Sequence, residues 1–240
     1  SANKVVRSLP RVSSPGSSGA GGWRDLSSID KHSPSSRNET FEMTLNRLWY
    51  QEGRVSDTAA FIQAHQPDLE ESSDKARILA HRVLGIERIR RNGISLPDRA
   101  HACAYIPESN RLMYCVHQSP IFNSNGYSTR TRGVVEGLAA NGIDPVVVAR
   151  SGYPWDSKVD NIKPSQHRIT ETMGGVTYVH IPGGNLSRSA FDHYVQIAAD
   201  GFVREAKLNR PSAIQSASNY RTALPALIAA RRVGVPFIYE

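Results

Sequence analysis

From Arg111 onward, short apolar runs alternate with amphipathic stretches, and this alternation constrains the fold more than any other feature of the 240-residue chain. Leu112 to Val116 is a short apolar run, Asp144 to Ala149, Val176 to Ile181 and Ala213 to Ser216 read as further strands, and Val235 to Tyr239 begins a fifth. Between them, Ser128 to Asn141 carries Val134, Val135, Leu138 and Ala139 on one side, and Gly142 ends it. Ala190 to Leu208 and Arg221 to Arg232 have the same helical character. Strands that alternate with helices and are bounded by glycine predict an α/β fold: a Rossmann-like parallel sheet with helices on both faces. A ligand of such a sheet binds beyond the carboxyl ends of the strands.

The first 110 residues read differently. Residues 1–40 hold 11 Ser, 4 Gly and 3 Pro, with Trp23 as the only aromatic, so they bury too little apolar surface to offset the entropy of ordering. A disordered tail is expected there. Phe41, Leu45, Leu48 and Trp49 follow at helical spacing and Gly53 closes that run. Ala60, Phe61 and Ala64 mark a short second helix, which Pro67 prevents from extending. A third helix is expected from Ser73 to Arg91, with Ile78, Leu79, Val83, Leu84, Ile86 and Ile89 on its apolar side and Asn92-Gly93 ending it. Residues 94–110 read as a connector. The predicted organisation is therefore a tail over 1–40, a small all-α accessory module over 41–108, and a Rossmann-like unit over 109–240.

Composition narrows the class. Two cysteines cannot staple a fold of this size, which favours a reducing compartment. The longest apolar stretch, Ala223 to Ala230, contains Pro225 and is far short of a membrane span. The formal charge is +7, of which +5 falls after residue 110. That surplus permits attraction to phosphate-bearing partners, but the cations are dispersed and no nucleic-acid recognition motif accompanies them.

The segment His117 to Arg130, leading from the first strand into the first helix, is the richest in binding chemistry. Gly126 allows close backbone approach, and Ser128 and Thr129 are expected to offer amides and hydroxyls at a helix N-terminus, which suits an anionic group. Arg130 and Arg132 could add charge. The plainer reading is that Asn125-Gly126 is a turn and Ser128 a cap. A dinucleotide fingerprint and a P-loop are both missing here, which disfavours a nicotinamide dehydrogenase and a P-loop NTPase. His101, Cys103, Cys115 and His117 are zinc-ligand types, but one-residue spacing and a core position for Cys115 favour a buried thiol over a metal site. His180 and Pro182-Gly183-Gly184 lie at the predicted binding edge of the third strand, or form a plain strand-end turn. His193 reads as a packing or solvated residue. Ser216 to Tyr220 leads into the last helix, where Ser218 or Asn219 could be its cap.

Several ordered segments then meet. Arg111-Leu-Met-Tyr-Cys-Val-His-Gln-Ser-Pro, Asn125-Gly-Tyr-Ser-Thr-Arg, and the helix ending Gly137-Leu-Ala-Ala-Asn-Gly-Ile-Asp-Pro resemble the opening of the amino-terminal lobe of family 4 retaining glycosyltransferases with the GT-B architecture. Gly175-Val-Thr-Tyr-Val-His-Ile-Pro and the stretch Ser216 to Glu240 fit the same lobe. The resemblance covers residues 111–240 and leaves the helical module aside.

That resemblance implies an enzyme that transfers a sugar from a nucleotide-sugar donor to a glycan, lipid-linked or small-molecule acceptor, using no metal or other cofactor. It implies that the acceptor-side lobe is present, and that the donor lobe, with its catalytic residues, lies beyond Glu240, so that this chain alone is inactive. Carried over residue by residue, the donor-phosphate and acceptor contacts are His117, Asn125, Gly126, Tyr127, Ser128, Arg130, His180, Gly183, Asn219 and Tyr220. Many members carry paired glycines where this chain has Asn125-Gly126. A cytoplasmic location with peripheral contact at the inner membrane face, and no nucleic-acid partner, completes the expectation. The rival class is a noncatalytic Rossmann-like interaction domain with the helical module as its partner surface.

Overall fold

The computed structural model describes residues 34–100, 105–217 and 219–240. The greater part of the expected tail, along with His101, Cys103 and Ser218, lies outside the described residues.

The described residues open with α1 (Pro34–Asn46), which runs into one turn of π-helix over Arg47–Gln51. Helix therefore starts inside the segment expected to be disordered. The residues that recruit it are Phe41 and Leu45, both buried against Ile62, Leu79 and Val83. Then come α2 (Val55–Ala64), α3 (Gln66–Glu71) and α4 (Asp74–Asn92). Pro67 does stop α2, but it also starts α3, since a proline in the first turn loses no intrahelical hydrogen bond. Ser73 caps α4 by accepting from the Ala76 amide, and Gly93, at φ 71°, ends it.

Five parallel strands and one antiparallel edge form a single sheet. They are β1 (Arg111–Val116), β2 (Asp144–Ala149), β3 (Ile169–Met173), β4 (Val176–His180), β5 (Ala213–Ser216) and β6 (Phe237–Tyr239), in the order β3-β4-β2-β1-β5-β6. The α/β class read from the sequence is the fold observed. The additional strand is β3, a hairpin partner of β4 joined through Gly174-Gly175, both with positive φ as a tight hairpin turn needs. Its central residues Thr170, Glu171 and Thr172 are exposed, so no apolar run marked it.

Helix α5 (Gly126–Ala140) covers one face of the sheet, packing Val135 against Tyr114, Val116, Val147 and Tyr178. Helices α6 (Phe191–Asn209) and α7 (Tyr220–Val233) cover the other, where Phe202, Ala206, Ala226 and Ala230 meet Met113, Cys115, Val146 and Val148. Both cores follow from strand alternation, which sends odd and even positions of β1 to opposite faces.

The helical region is built onto this sandwich. Ile86 and Ile89 of α4 pack with Phe191, Val195 and Ile228. A side chain at Gly85 would run into the Phe191 amide, so glycine is what lets α4 approach α6. Arg88 makes two hydrogen bonds to Asp192, at 2.7 and 2.9 Å. The connector then returns along α7, with the Ala100 amide donating to Arg231 and the Tyr105 hydroxyl to Pro211.

Candidate functional site

Among the parallel strands, the chain winds outward from β1 through β2 to β4, then crosses back to β5 and β6. The order reverses between β1 and β5, and the segments leaving those two strands diverge to opposite faces, opening a crevice at their carboxyl ends. A shallow cleft lies there, lined by Tyr114, Val116, His117, Gln118, Tyr127, Arg130, Thr131 and Ala217.

Each lining group has a local reason for its place. Tyr127, Arg130 and Thr131 share a face of α5 because three- and four-residue spacing aligns side chains on a helix. The first turn is held by reciprocal capping: the Asn125 side chain accepts from the Ser128 amide at 3.0 Å, and the Ser128 hydroxyl accepts from the Asn125 amide at 2.9 Å. Asn125 also donates to Gln118 at 2.6 Å, tying the loop to the helix. Ser128 is fully buried and the Thr129 amide bonds the Asn125 carbonyl. Neither residue therefore offers the free amide that the sequence suggested; the cap consumes it. Gly126 differs, because a Cβ there would meet nothing within 4 Å.

His117 follows β1 into the cleft, and its Nδ1 is buried without a hydrogen-bond partner among the protein groups. Burial, with the Arg150 and Arg221 guanidinia nearby, lowers its pKa to about 4, so at neutral pH the ring is uncharged and can both donate and accept. Arg130 crosses to the end of β6, where its guanidinium bonds Glu240 at 2.6 Å. The other Glu240 oxygen accepts from the Tyr114 hydroxyl at 3.0 Å and from Gln215 at 2.6 Å. Tyr114 and Gln215 are direct neighbours across β1 and β5, so sheet register brings these donors together. Burial and the Glu240 carboxylate push the Tyr114 hydroxyl far above its usual range. Arg132, by contrast, pairs with Glu136 at 2.7 Å along α5.

The remaining predicted residues lie apart from the cleft lining. His180 ends β4, on the far side of β2, and is fully buried against Phe122 and Tyr153. Gly183 has φ 142°, and a side chain there would collide with the Ser151 hydroxyl, so its glycine serves packing. These two positions are parts of the framework. Asn219 caps α7 through the Arg221 amide at 2.9 Å and holds φ 130°, a conformation rare outside glycine. Tyr220 is half-exposed, edge-on to Phe191, with the Arg221 guanidinium over its ring.

The loops around the edge are fixed by a buried pair. Arg150, after β2, binds Asp156 with hydrogen bonds of 2.6 and 2.8 Å, and Asp156 also accepts from the Leu186 amide beyond β4. Although burial raises the carboxyl's pKa, the Arg150 contacts outweigh it and the net direction is down. Cys115 is wholly buried and its thiol is pushed far above the usual range, which makes it an inert core residue. Among the described residues, no three His, Cys, Asp or Glu side chains gather as a metal site.

Gln118, Thr131, Tyr114, Gln215 and Glu240 were not singled out from the sequence. Helical spacing from Tyr127 points to Thr131; the Glu240 cluster has no sequence signature, because it joins β1, α5, β5 and the residue after β6.

Sheet order, the crevice at its reversal and the helix N-terminus beside it define a Rossmann-like α/β unit. Residues 125–240 of it match the family model of a glycosyl transferase 4-like domain, so glycosyltransferase-type chemistry is the class of function to which this part of the chain points. No curated protein matches the chain significantly. No described helix is long and apolar enough to cross a membrane.

Proposed function

We propose that the chain supplies the acceptor-side lobe of a GT-B glycosyltransferase that moves a sugar from a nucleotide-sugar donor to an acceptor with retention of anomeric configuration. The observation that carries this reading is the cleft at the β1/β5 reversal, lined from the first turns of α5 and lying within or beside the span that matches the glycosyltransferase family. His117 and Gln118 at the end of β1 bind acceptor hydroxyls, and Gly126 leaves room for a ligand at the mouth. A second lobe holds the nucleotide and the catalytic groups of the family, and positive side chains with helix dipoles stabilise the leaving diphosphate without a metal. The helical region braces α6 and sets the outer wall of the lobe.

The test is a donor and acceptor screen on the full-length protein, with the anomeric configuration of the product read by NMR. Transfer from a nucleotide sugar is expected. A protein that binds no nucleotide sugar and releases no nucleoside diphosphate with any acceptor would sink the proposal.

A further inference from the structure

Among the described residues, Arg130 is the only Lys or Arg on the cleft lining, and it is already matched by a carboxylate. Glu240 is held from behind by Tyr114 and Gln215 and is only 21% exposed, whereas Arg130 is 54% exposed. The acid is thus the fixed member of the pair and the arginine the member it restrains. His117 adds no charge at neutral pH, since burial keeps its ring unprotonated. Besides Val116, Ala217 and the Tyr114 side chain that holds Glu240, the lining consists of Gln118, Thr131, the neutral imidazole and the Tyr127 ring, which is 70% exposed and unused by the core.

The geometry points to Glu240 as a specificity-determining residue of the cleft: by engaging Arg130 it cancels the charge of that cation and leaves a surface suited to an uncharged, hydroxyl-bearing group and unfavourable to a phosphate. An anion entering here would have to draw Arg130 from a carboxylate that three donors already satisfy, and would face that carboxylate at close range. Neutral hydroxyls meet no such opposition, and the exposed tyrosine offers a face on which a sugar ring can lie. The donor phosphates are accordingly placed away from this cleft. The inference rests on the glycosyltransferase reading only for the identity of the hydroxyl-bearing ligand.

Inorganic pyrophosphate, titrated calorimetrically into the full chain, is the probe. Glu240→Gln keeps the acceptors for Tyr114 and Gln215 but removes the charge, so pyrophosphate is expected to bind at least about tenfold more tightly than to the wild type. The gain should vanish when Arg130→Gln is added. Arg130→Gln alone, at an exposed helical position, should change wild-type binding by less than about twofold. A folded Glu240→Gln protein with unchanged or weaker pyrophosphate binding overturns the proposal, and so does a tenfold loss in Arg130→Gln, which would mean that the arginine already serves an anion. Should Glu240→Gln fail to give a cooperative thermal melt, the Arg130→Gln result decides alone. A failed transfer screen beside a clear gain in Glu240→Gln would refute the enzymatic reading and leave the charge cancellation standing; transfer without the gain would do the reverse.

Discussion

Replacing His180 with leucine removes an imidazole that the fold buries completely, its ring centroid 4.9 Å from that of Phe122 in an edge-on arrangement, and neither nitrogen finds a hydrogen-bond partner among the protein groups. Burial lowers its pKa from the ordinary 6.5 to about 4. The unfolded chain therefore takes up a proton at a pH where the folded chain does not. Between those values the unfolded state binds more protons, so this residue's contribution to stability is fully present above 6.5 and is lost as pH falls toward 4. At about pH 4.5 the deficit for one such histidine amounts to about 2.5 kcal/mol. Leucine has a similar volume, does not titrate and leaves no buried nitrogen unpaired, so at about pH 7.5 the variant should lie within about 1 kcal/mol of the wild type. Near pH 4.5 it should be the more stable by about 2 to 3 kcal/mol, measured by urea denaturation at both pH values. His117, lowered in the same direction, keeps part of the acid sensitivity in the variant. Parallel loss of stability in the two proteins would refute the reasoning. A well-folded His180→Leu protein without transfer activity would return this histidine to the functional site.

Three further outcomes follow from the geometry. Gly126→Val should fold normally, since a Cβ there meets no protein atom within 4 Å, yet lose at least about tenfold in transfer if a ligand approaches there; unchanged kinetics would remove Gly126 from the site. Asp156→Ala strands the buried Arg150 guanidinium and frees the Leu186 amide, so chemical denaturation should register a loss of about 3 to 5 kcal/mol, and a loss below about 1 would mean the pair is dispensable. Glu87 accepts from Arg90, Arg91 and Ser56, and the Arg90 contact foremost lowers its pKa from 4.5 to about 2. Its stabilisation is present above 4.5 and disappears as pH falls toward 2, so Glu87→Gln should reduce stability near neutrality and flatten that acid limb in circular dichroism titrations.

Where a signal is carried by neighbouring residues, the sequence is a good guide. The strand runs at 144–149 and 213–216 coincide with β2 and β5, because apolar period and bounding turn residues lie within each segment. β3 escapes that logic: it is an edge strand whose ladder is completed by β4, so its own side chains can be polar. At the cleft, His117, Tyr127 and Arg130 were legible from a strand, a turn and a helix start in succession. Ser128 was placed correctly at the helix start but given the wrong freedom, since only the folded cap reveals that Asn125 uses its amide and hydroxyl.

The alternating pattern by itself determined the α/β class, the course of the chain from β1 into α5, and the region where a ligand should be sought, because each depends on periodicity and turn chemistry within a few tens of residues. Tertiary structure alone decided which of the marked residues share that region. It brought Glu240 to Arg130 across 110 positions and put His180 beneath two aromatic rings. The physical reason is that strand order and sheet register are set by packing between distant segments, and charge pairing and burial follow from that packing.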